Sequence, residues 1–315
     1  MTAHSSSSQP VASAGFESGA GFIDGGYVPL AEAKISVLDF GFTHSDATYD
    51  VVHVWNGRFF QLEAHLDRFF HSMAELRLVI PFDREEVKEI LTECVRKTGL
   101  RDAYVAMVAT RGVPPRGSRD MRQCTNQFIA YAMPFIWIAP ADKRETGMHA
   151  VISSYTRIPS RSLDQRIKNY HWLDMVRSQW EAYDKGADTA FLLDLDGNLT
   201  EGPGYNVFIV RDGALLTPRT NVLEGITRKS VLAIAGEIGI SASEVDITPD
   251  DLAAADEVFI TSTGGGVMPV VRVDGRIYGN GVPGPVTSRI REVYWQRHDE
   301  DWNRTDIDYA GSGTG

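Results

Sequence analysis

The chain has 315 residues, 43% of them hydrophobic and 23% charged, with a formal net charge of -11 at neutral pH. That length supports two domains with sizeable cores, and the negative balance repels a phosphate backbone, which disfavours nucleic acid as a partner. Cys94 and Cys124, the only cysteines, form neither a CxxC pair nor a metal-ligand spacing, which fits a reducing, cytoplasmic compartment, and no apolar run approaches the ~18 residues of a membrane span.

Residues 1–19 are rich in Ser, Ala and Gly and have neither a basic start nor an apolar centre, so they read as a disordered arm and not as a secretory signal. An N-terminal domain is expected over residues 20–138. Its helices are Glu63 to Leu78, with Leu66, Phe69, Phe70, Met73 and Leu76 on one stripe, and a second helix opened by Asp83-Arg-Glu-Glu86 and closed by Gly99. Tyr104 to Thr110 and Gln127 to Ile138 are predicted strands. Residues 139–148 are polar and are expected to link the domains. A C-terminal domain is expected over 149–298, with helices at Trp172 to Lys185, Thr227 to Ile238, a short one capped by Thr248-Pro249, and Pro285 to His298. Residues 299–315 read as a tail, flexible from Tyr309 on. Five Asx-Gly pairs (Asp24-Gly25, Asn56-Gly57, Asp196-Gly197, Asp212-Gly213, Asp274-Gly275) allow positive φ and predict antiparallel hairpins. The expected fold class is therefore α+β, with two α/β domains built on mainly antiparallel sheets.

Lys168 is the one lysine of seven that lies among Ile167, Tyr170 and Trp172, after a Pro/Ser/Arg-rich stretch. Apolar surroundings strip hydration from an ammonium and favour the free amine that Schiff-base chemistry needs. Local sequence alone favours a snorkelling lysine instead. Three further stretches bear on the choice. Glu201-Gly-Pro-Gly-Tyr-Asn206 sets a glutamate beside two glycines; it reads equally as a bulged loop, and without a third glycine and a following helix it is no dinucleotide fingerprint. Gly225-Ile226-Thr227 opens a helix whose amides would attract a phosphate, unless Thr227 simply caps it. Thr261-Ser262-Thr263-Gly264-Gly265-Gly266 ends a strand in hydroxyls and costly glycines, a pattern for an anion-binding concavity. Metal chemistry has no HExxH motif and no ligand-like spacing around His65 or His71.

The order of these stretches resembles the fold-type IV (class IV) pyridoxal-phosphate enzymes: branched-chain aminotransferases, D-amino-acid aminotransferases and aminodeoxychorismate lyases. The (R)-selective amine transaminases are the most similar subgroup. The likeness spans about residues 20 to 298 and includes His65-Leu-Asp-Arg68, Ile167-Lys168-Asn-Tyr-His-Trp172 and Glu201-Gly-Pro-Gly-Tyr-Asn206. It implies pyridoxal 5'-phosphate as cofactor and Lys168 as Schiff-base lysine. Glu201 would face the pyridine nitrogen, and Trp172 and Tyr205 would wall the cofactor. Arg68, the Ile226 and Thr227 amides, and Thr263 with Ser262 beside it would hold the phosphate. His44, Tyr49, Val51 and Tyr104 match substrate-pocket positions, and Arg116 matches a mobile arginine that meets a carboxylate. The implied substrates are small amines and keto acids, the implied activity is transfer of an amino group between an (R)-amine and a keto acid such as pyruvate, and the implied assembly is a homodimer. A D-amino-acid or branched-chain aminotransferase, or a lyase on the same fold, is the alternative. Departures from the family pattern, such as Thr261-Ser262-Thr263 for Thr-Thr-Ala and His171-Trp172-Leu173-Asp174 for Gln-Trp-Gly-Asp, bear on the amine substrate and leave the cofactor unaffected.

Overall fold

Four of the five Asx-Gly pairs turn antiparallel hairpins in the computed structural model, which describes residues 12–310. At each the Asx residue has φ near +50°, as a tight primed turn requires: Asp24 at 52°, Asn56 at 51°, Asp212 at 52° and Asp274 at 49°. Asp196-Gly197 closes only an isolated bridge between Leu193 and Leu199.

The chain divides into two units, Met1–Ile136 with Asn303–Gly315, and Trp137–Trp302. The first unit contains β1 (Ala20–Ile23), β2 (Gly26–Pro29), α1 (Phe40–His44), β3 (Ala47–Trp55), β4 (Arg58–Phe60), α2 (Leu62–Glu75), α3 (Arg84–Thr98), β5 (Ala103–Thr110) and β6 (Gln127–Pro134). Its antiparallel sheet runs β4-β3-β5-β6-β1-β2, with the chain's last strand, Arg304–Asp306, added beyond β4. One face, through Val52, Val54, Val105, Met107 and Ala130, packs on Leu62, Leu66 and Phe69 of α2 and Val87, Leu91 and Cys94 of α3. Asp83 and Glu86 form the expected capping box on α3, and Gly99 ends it in the left-handed region.

The second unit contains α4 (Ala141–Thr146), β7 (Met148–Thr156), α5 (Leu173–Asp184), β8 (Thr189–Leu193), β9 (Glu201–Gly202), β10 (Tyr205–Arg211), β11 (Ala214–Pro218), α6 (Ile226–Glu237), β12 (Ala242–Val245), α7 (Pro249–Ala253), β13 (Glu257–Ser262), β14 (Gly266–Val273), β15 (Arg276–Ile277) and α8 (Pro285–Gln296). Its sheet runs β12-β11-β10-β13-β14-β7-β8, with β9 on β10 and β15 on β14; β7 pairs in parallel with both its neighbours, as does β11 with β12. The architecture is α+β with mainly antiparallel pairing.

Several boundaries differ from expectation. Residues 139–148 hold α4, whose Lys143 pairs with Asp188 at 3.1 Å. A short helix polar on all sides has no apolar stripe to announce it. Residues 12–19, expected to be disordered, lie against α3: Ser13 donates to Lys97 O at 2.8 Å and Phe16 packs on the core. Residues 1–11 lie outside the described residues. The expected tail instead supplies a strand, the buried Ile307, and Tyr309, whose hydroxyl donates to Leu100 O at 2.6 Å; residues 311–315 lie outside the description. Ile307→Ala is therefore expected to destabilise the protein by about 2–3 kcal/mol in chemical denaturation. A free tail would show no change.

Candidate active site

Glu201 is a carboxylate that is only 2% exposed, and the surrounding chain is arranged around that fact. Burying a charge is costly unless it is paired and hydrogen-bonded. Its Oε1 accepts from Arg157 Nε at 3.0 Å, and its Oε2 accepts from the Leu223 N–H at 2.9 Å and, at 3.5 Å, from Asn206 Nδ2. Burial is the largest influence and leaves the carboxyl above its ordinary value, although Arg157, the Leu223 amide and the nearby Lys168 charge oppose it. Every group around the two oxygens is a donor, which suits the ionised form. Burial would also discharge Arg157, but Glu201 and Asp174 outweigh it and hold the guanidinium above its ordinary range.

Local topology delivers these groups. Glu201 and Asn206 are register partners across the Pro203-Gly204 turn, and Asn206 is in turn opposite Thr261 on β13. Glu201, Asn206 and Thr261 thus form a polar row across three strands. Thr261 is 1% exposed, and its Oγ1 has no hydrogen-bond partner among the described residues. Asn206 Nδ2 also donates to Leu223 O at 2.8 Å, tying the hairpin to the segment that enters α6. That segment ends at Gly225, where a Cβ would fall 2.1 Å from Asn206 Oδ1. Gly225, and not Thr227, is the N-cap of α6, so no side chain caps the helix. Its first-turn amides, Ile226 and Thr227 among them, form an N-terminus suited to an anion. The adjacent cations serve elsewhere: Arg228 pairs with Glu244 at 2.5 Å and Lys229 with Glu224 at 2.9 Å. Buried Tyr294 of α8 lies beside the Thr227 side chain, and its ring lies 2.7 Å from where a Cβ on Gly266 would be. It therefore supports both the α6 start and the β13–β14 turn. In that turn Ser262 Oγ donates to Gly204 O at 3.0 Å, and Thr263 is half-buried.

Lys168 is half-buried in the loop between β7 and α5; Trp172 is half-buried too, whereas Tyr170 is 38% exposed, so the lysine's surroundings are less enclosed than the sequence suggested. Trp172 Nε1 donates to Asn169 O at 3.2 Å, and the ring lies 3.2 Å from where a Cβ on Gly204 would be. Tyr205 corrects an expectation. Its ring sits in the core of the second unit, 4% exposed, with its hydroxyl between Thr189 Oγ1 at 2.6 Å and Ala190 O at 2.7 Å. Such a ring packs into the core on the strand face opposite to Asn206 and Glu201, away from the polar row.

The remaining candidates belong to the first unit. Arg68 on α2 makes a bidentate pair with Asp50 of β3, at 2.7 and 2.9 Å, and His65 Nδ1 meets the same carboxylate at 2.8 Å. Burial alone would raise Asp50, but Arg68 and His65 hold it well below the carboxylate range. Tyr49 and Val51 lie on the β3 face opposite to Asp50, with Tyr104 on the same face of β5, where it stacks at 6.3 Å on Tyr131. His44 ends α1, exposed, with Nδ1 2.7 Å from Thr43 Oγ1. Arg116 is exposed on the β5–β6 loop, whose base is fixed by Arg111 on Asp46 at 2.8 Å.

Asp50, Arg157, Asp174 and Asn206 had no role in the sequence reading. A lone Asp inside the apolar run Tyr49-Asp-Val-Val-His-Val, with His65 and Arg68 one helical turn apart, was the available signal for the first. Arg157 and Asp174 meet only through the fold.

Residues 47–273 match the family described as amino-transferase class IV. The chain belongs to the class IV aminotransferases. It is 37% identical over 276 residues to a putative branched-chain-amino-acid aminotransferase of Methanocaldococcus jannaschii, covering 87% of this chain and 94% of that one. It is 33% identical over 270 residues to the D-alanine aminotransferase of Bacillus licheniformis, covering 85% and 93%. Among solved structures it is similar to the branched-chain amino acid aminotransferase of Thermobaculum terrenum in its PLP-bound holo form, at a TM-score of 0.84 and 28% identity over 93% of this chain and 99% of that one.

The cofactor of this aminotransferase is pyridoxal 5'-phosphate. The residues present fit it: an uncapped helix N-terminus for a phosphate, a buried carboxylate for a ring nitrogen, an unpartnered buried hydroxyl in the same row, and a lysine whose charge Glu201 senses. Gly225→Ala must displace Asn206 or the α6 entry. Losing one charge-assisted hydrogen bond, about 1.5–3 kcal/mol, predicts cofactor affinity weakened about ten- to hundredfold in equilibrium dialysis. Unchanged affinity would separate this junction from the cofactor.

Proposed function

We propose that this aminotransferase moves an amino group between an (R)-configured primary amine and a keto acid such as pyruvate. Pyridoxal phosphate supplies an aldehyde that bonds to amines and a ring that takes up the electron pair left when the Cα proton departs. In this reading Lys168 Nζ holds the cofactor covalently and, once released, carries the proton at Cα. Glu201, as carboxylate, faces the ring nitrogen and keeps it protonated. The family resemblance assigns the phosphate to the Ile226 and Thr227 amides, to Thr263 with Ser262 and to Arg68, and the flank of the ring to Trp172. Asp50 and His65 orient Arg68.

The observation that carries the substrate assignment is one of charge. Tyr49, Val51 and Tyr104, the substrate contacts in this reading, share one sheet face with His53, Ala106 and Val108, and β3, β5 and β6 contain no lysine or arginine. An apolar amine suits such a surface. A carboxylate then needs a cation from outside the strands, and in this reading it is Arg116, exposed on the β5–β6 loop, that moves in for the acid and out for the amine. The 37% and 33% identities to enzymes named for branched-chain amino acids and D-alanine support a second reading, in which an amino acid is the donor in both directions. A homodimer belongs to the proposal on family grounds.

A donor panel with pyruvate decides between the readings. (R)-1-phenylethylamine is expected to be consumed and its (S) enantiomer left; faster use of L-leucine or D-alanine would favour the second. Arg116→Ala is expected to lower kcat/KM for the keto acid about ten- to hundredfold, the loss of one charged hydrogen-bond pair, and to affect the apolar amine less. Equal losses on both would remove the swinging arginine. Lys168→Ala is expected to abolish turnover, and retained turnover would remove its assignment.

A further inference from the structure

We propose that Arg157 and Asp174 act as a positioning pair that sets both the direction and the charge of Glu201 during transamination. The inference rests on the reading that Glu201 meets the cofactor's ring nitrogen. Arg157 follows β7 directly, with its N–H donating to Leu193 O at 2.8 Å and the residue 5% exposed. A guanidinium is a rigid planar fork. Here Nε donates to Glu201 Oε1 at 3.0 Å and Nη1 to Asp174 Oδ2 at 2.6 Å, so two carboxylates are held in fixed directions by one group. A lysine ammonium at this position has the charge but not the fork.

Asp174 is itself immobilised. Its Oδ2 also accepts from Ile158 N at 3.0 Å, and its Oδ1 from Met175 N at 2.9 Å in the first turn of α5. Residues 157 and 174 bracket the loop that carries Lys168 and Trp172, so the same ion pair closes that loop at its base. One unit thereby sets Glu201 and the segment bearing the reactive lysine. A group merely filling the core would affect stability alone. A positioning pair must also change how Glu201 titrates, and the two members act on it with opposite sign. Removing the Arg157 cation disfavours the carboxylate; removing the Asp174 anion favours it.

The test uses Arg157→Gln, Arg157→Lys, Asp174→Asn and Glu201→Gln holoenzymes, with near-UV circular dichroism confirming the fold. The readouts are the absorbance of bound cofactor against pH and the pH profile of kcat. Glu201 works ionised, so activity falls as pH drops through its pKa. Arg157→Gln is expected to move that acid limb and the absorbance titration up by about one pH unit and to lower kcat by up to about a hundredfold through misplacement. Asp174→Asn should move both the other way, and Arg157→Lys should restore the limb without restoring kcat. Unchanged titrations, or shifts of the same sign in Arg157→Gln and Asp174→Asn, overturn the proposal. Should Arg157→Gln not fold, Asp174→Asn and Arg157→Lys decide alone: wild-type titration and kcat in both overturn it. If Glu201→Gln itself titrates and turns over like wild type, the failure belongs to the role of Glu201 and not to the pair.

Discussion

A carboxylate kept out of water is the constraint to which the second unit conforms. Glu201 is held by the cation just after β7, the amide of Leu223 before α6, and its cross-strand neighbour Asn206. Each of these contacts also fixes something else. Arg157 reaches the start of α5 through Asp174, and Asn206 reaches the start of α6 through Leu223 O. The entries to α5 and α6 are thus tied to one acidic side chain. A break in any tie leaves a buried group without its partner, which is costlier than never having made the bond.

The start of α6 and the β13–β14 turn follow a different logic. Backbone amides at an uncapped helix start, hydroxyls at a strand end and glycines where Cβ atoms do not fit offer partial charges without a lysine or arginine among them. Tyr294 beneath both the α6 start and the β13–β14 turn makes the spacing of these parts a property of the core. The arginine assigned to the phosphate, Arg68, is oriented in its own unit by Asp50. Rigid parts of this kind would suit a cofactor that must stay in place.

Much of this was legible in the sequence because local chemistry fixes it. Asx-Gly pairs demanded positive φ, Asp83 and Glu86 demanded a helix start, and apolar periodicity located α2 and α3. The Lys168, Glu201 and Gly225 stretches stood out through residue types that regular structure disfavours. What stayed hidden was long-range pairing. Arg157 and Glu201 are 44 positions apart, and nothing in either neighbourhood names the other. Tyr205 misled because it adjoins the glycine turn, yet strand alternation sends its ring into the core. The returning strand Arg304–Asp306 was missed because three residues carry no periodicity, and its stability comes from β4.

The claim that joins all of this is that Lys168 carries the cofactor. Borohydride reduction of the holoenzyme followed by peptide mass mapping tests it most directly. The account predicts a phosphopyridoxyl group on the peptide containing Ile167-Lys168-Asn169, with the other six lysines unmodified. A group fixed on any other lysine, or none fixed in enzyme that holds its cofactor, would contradict it.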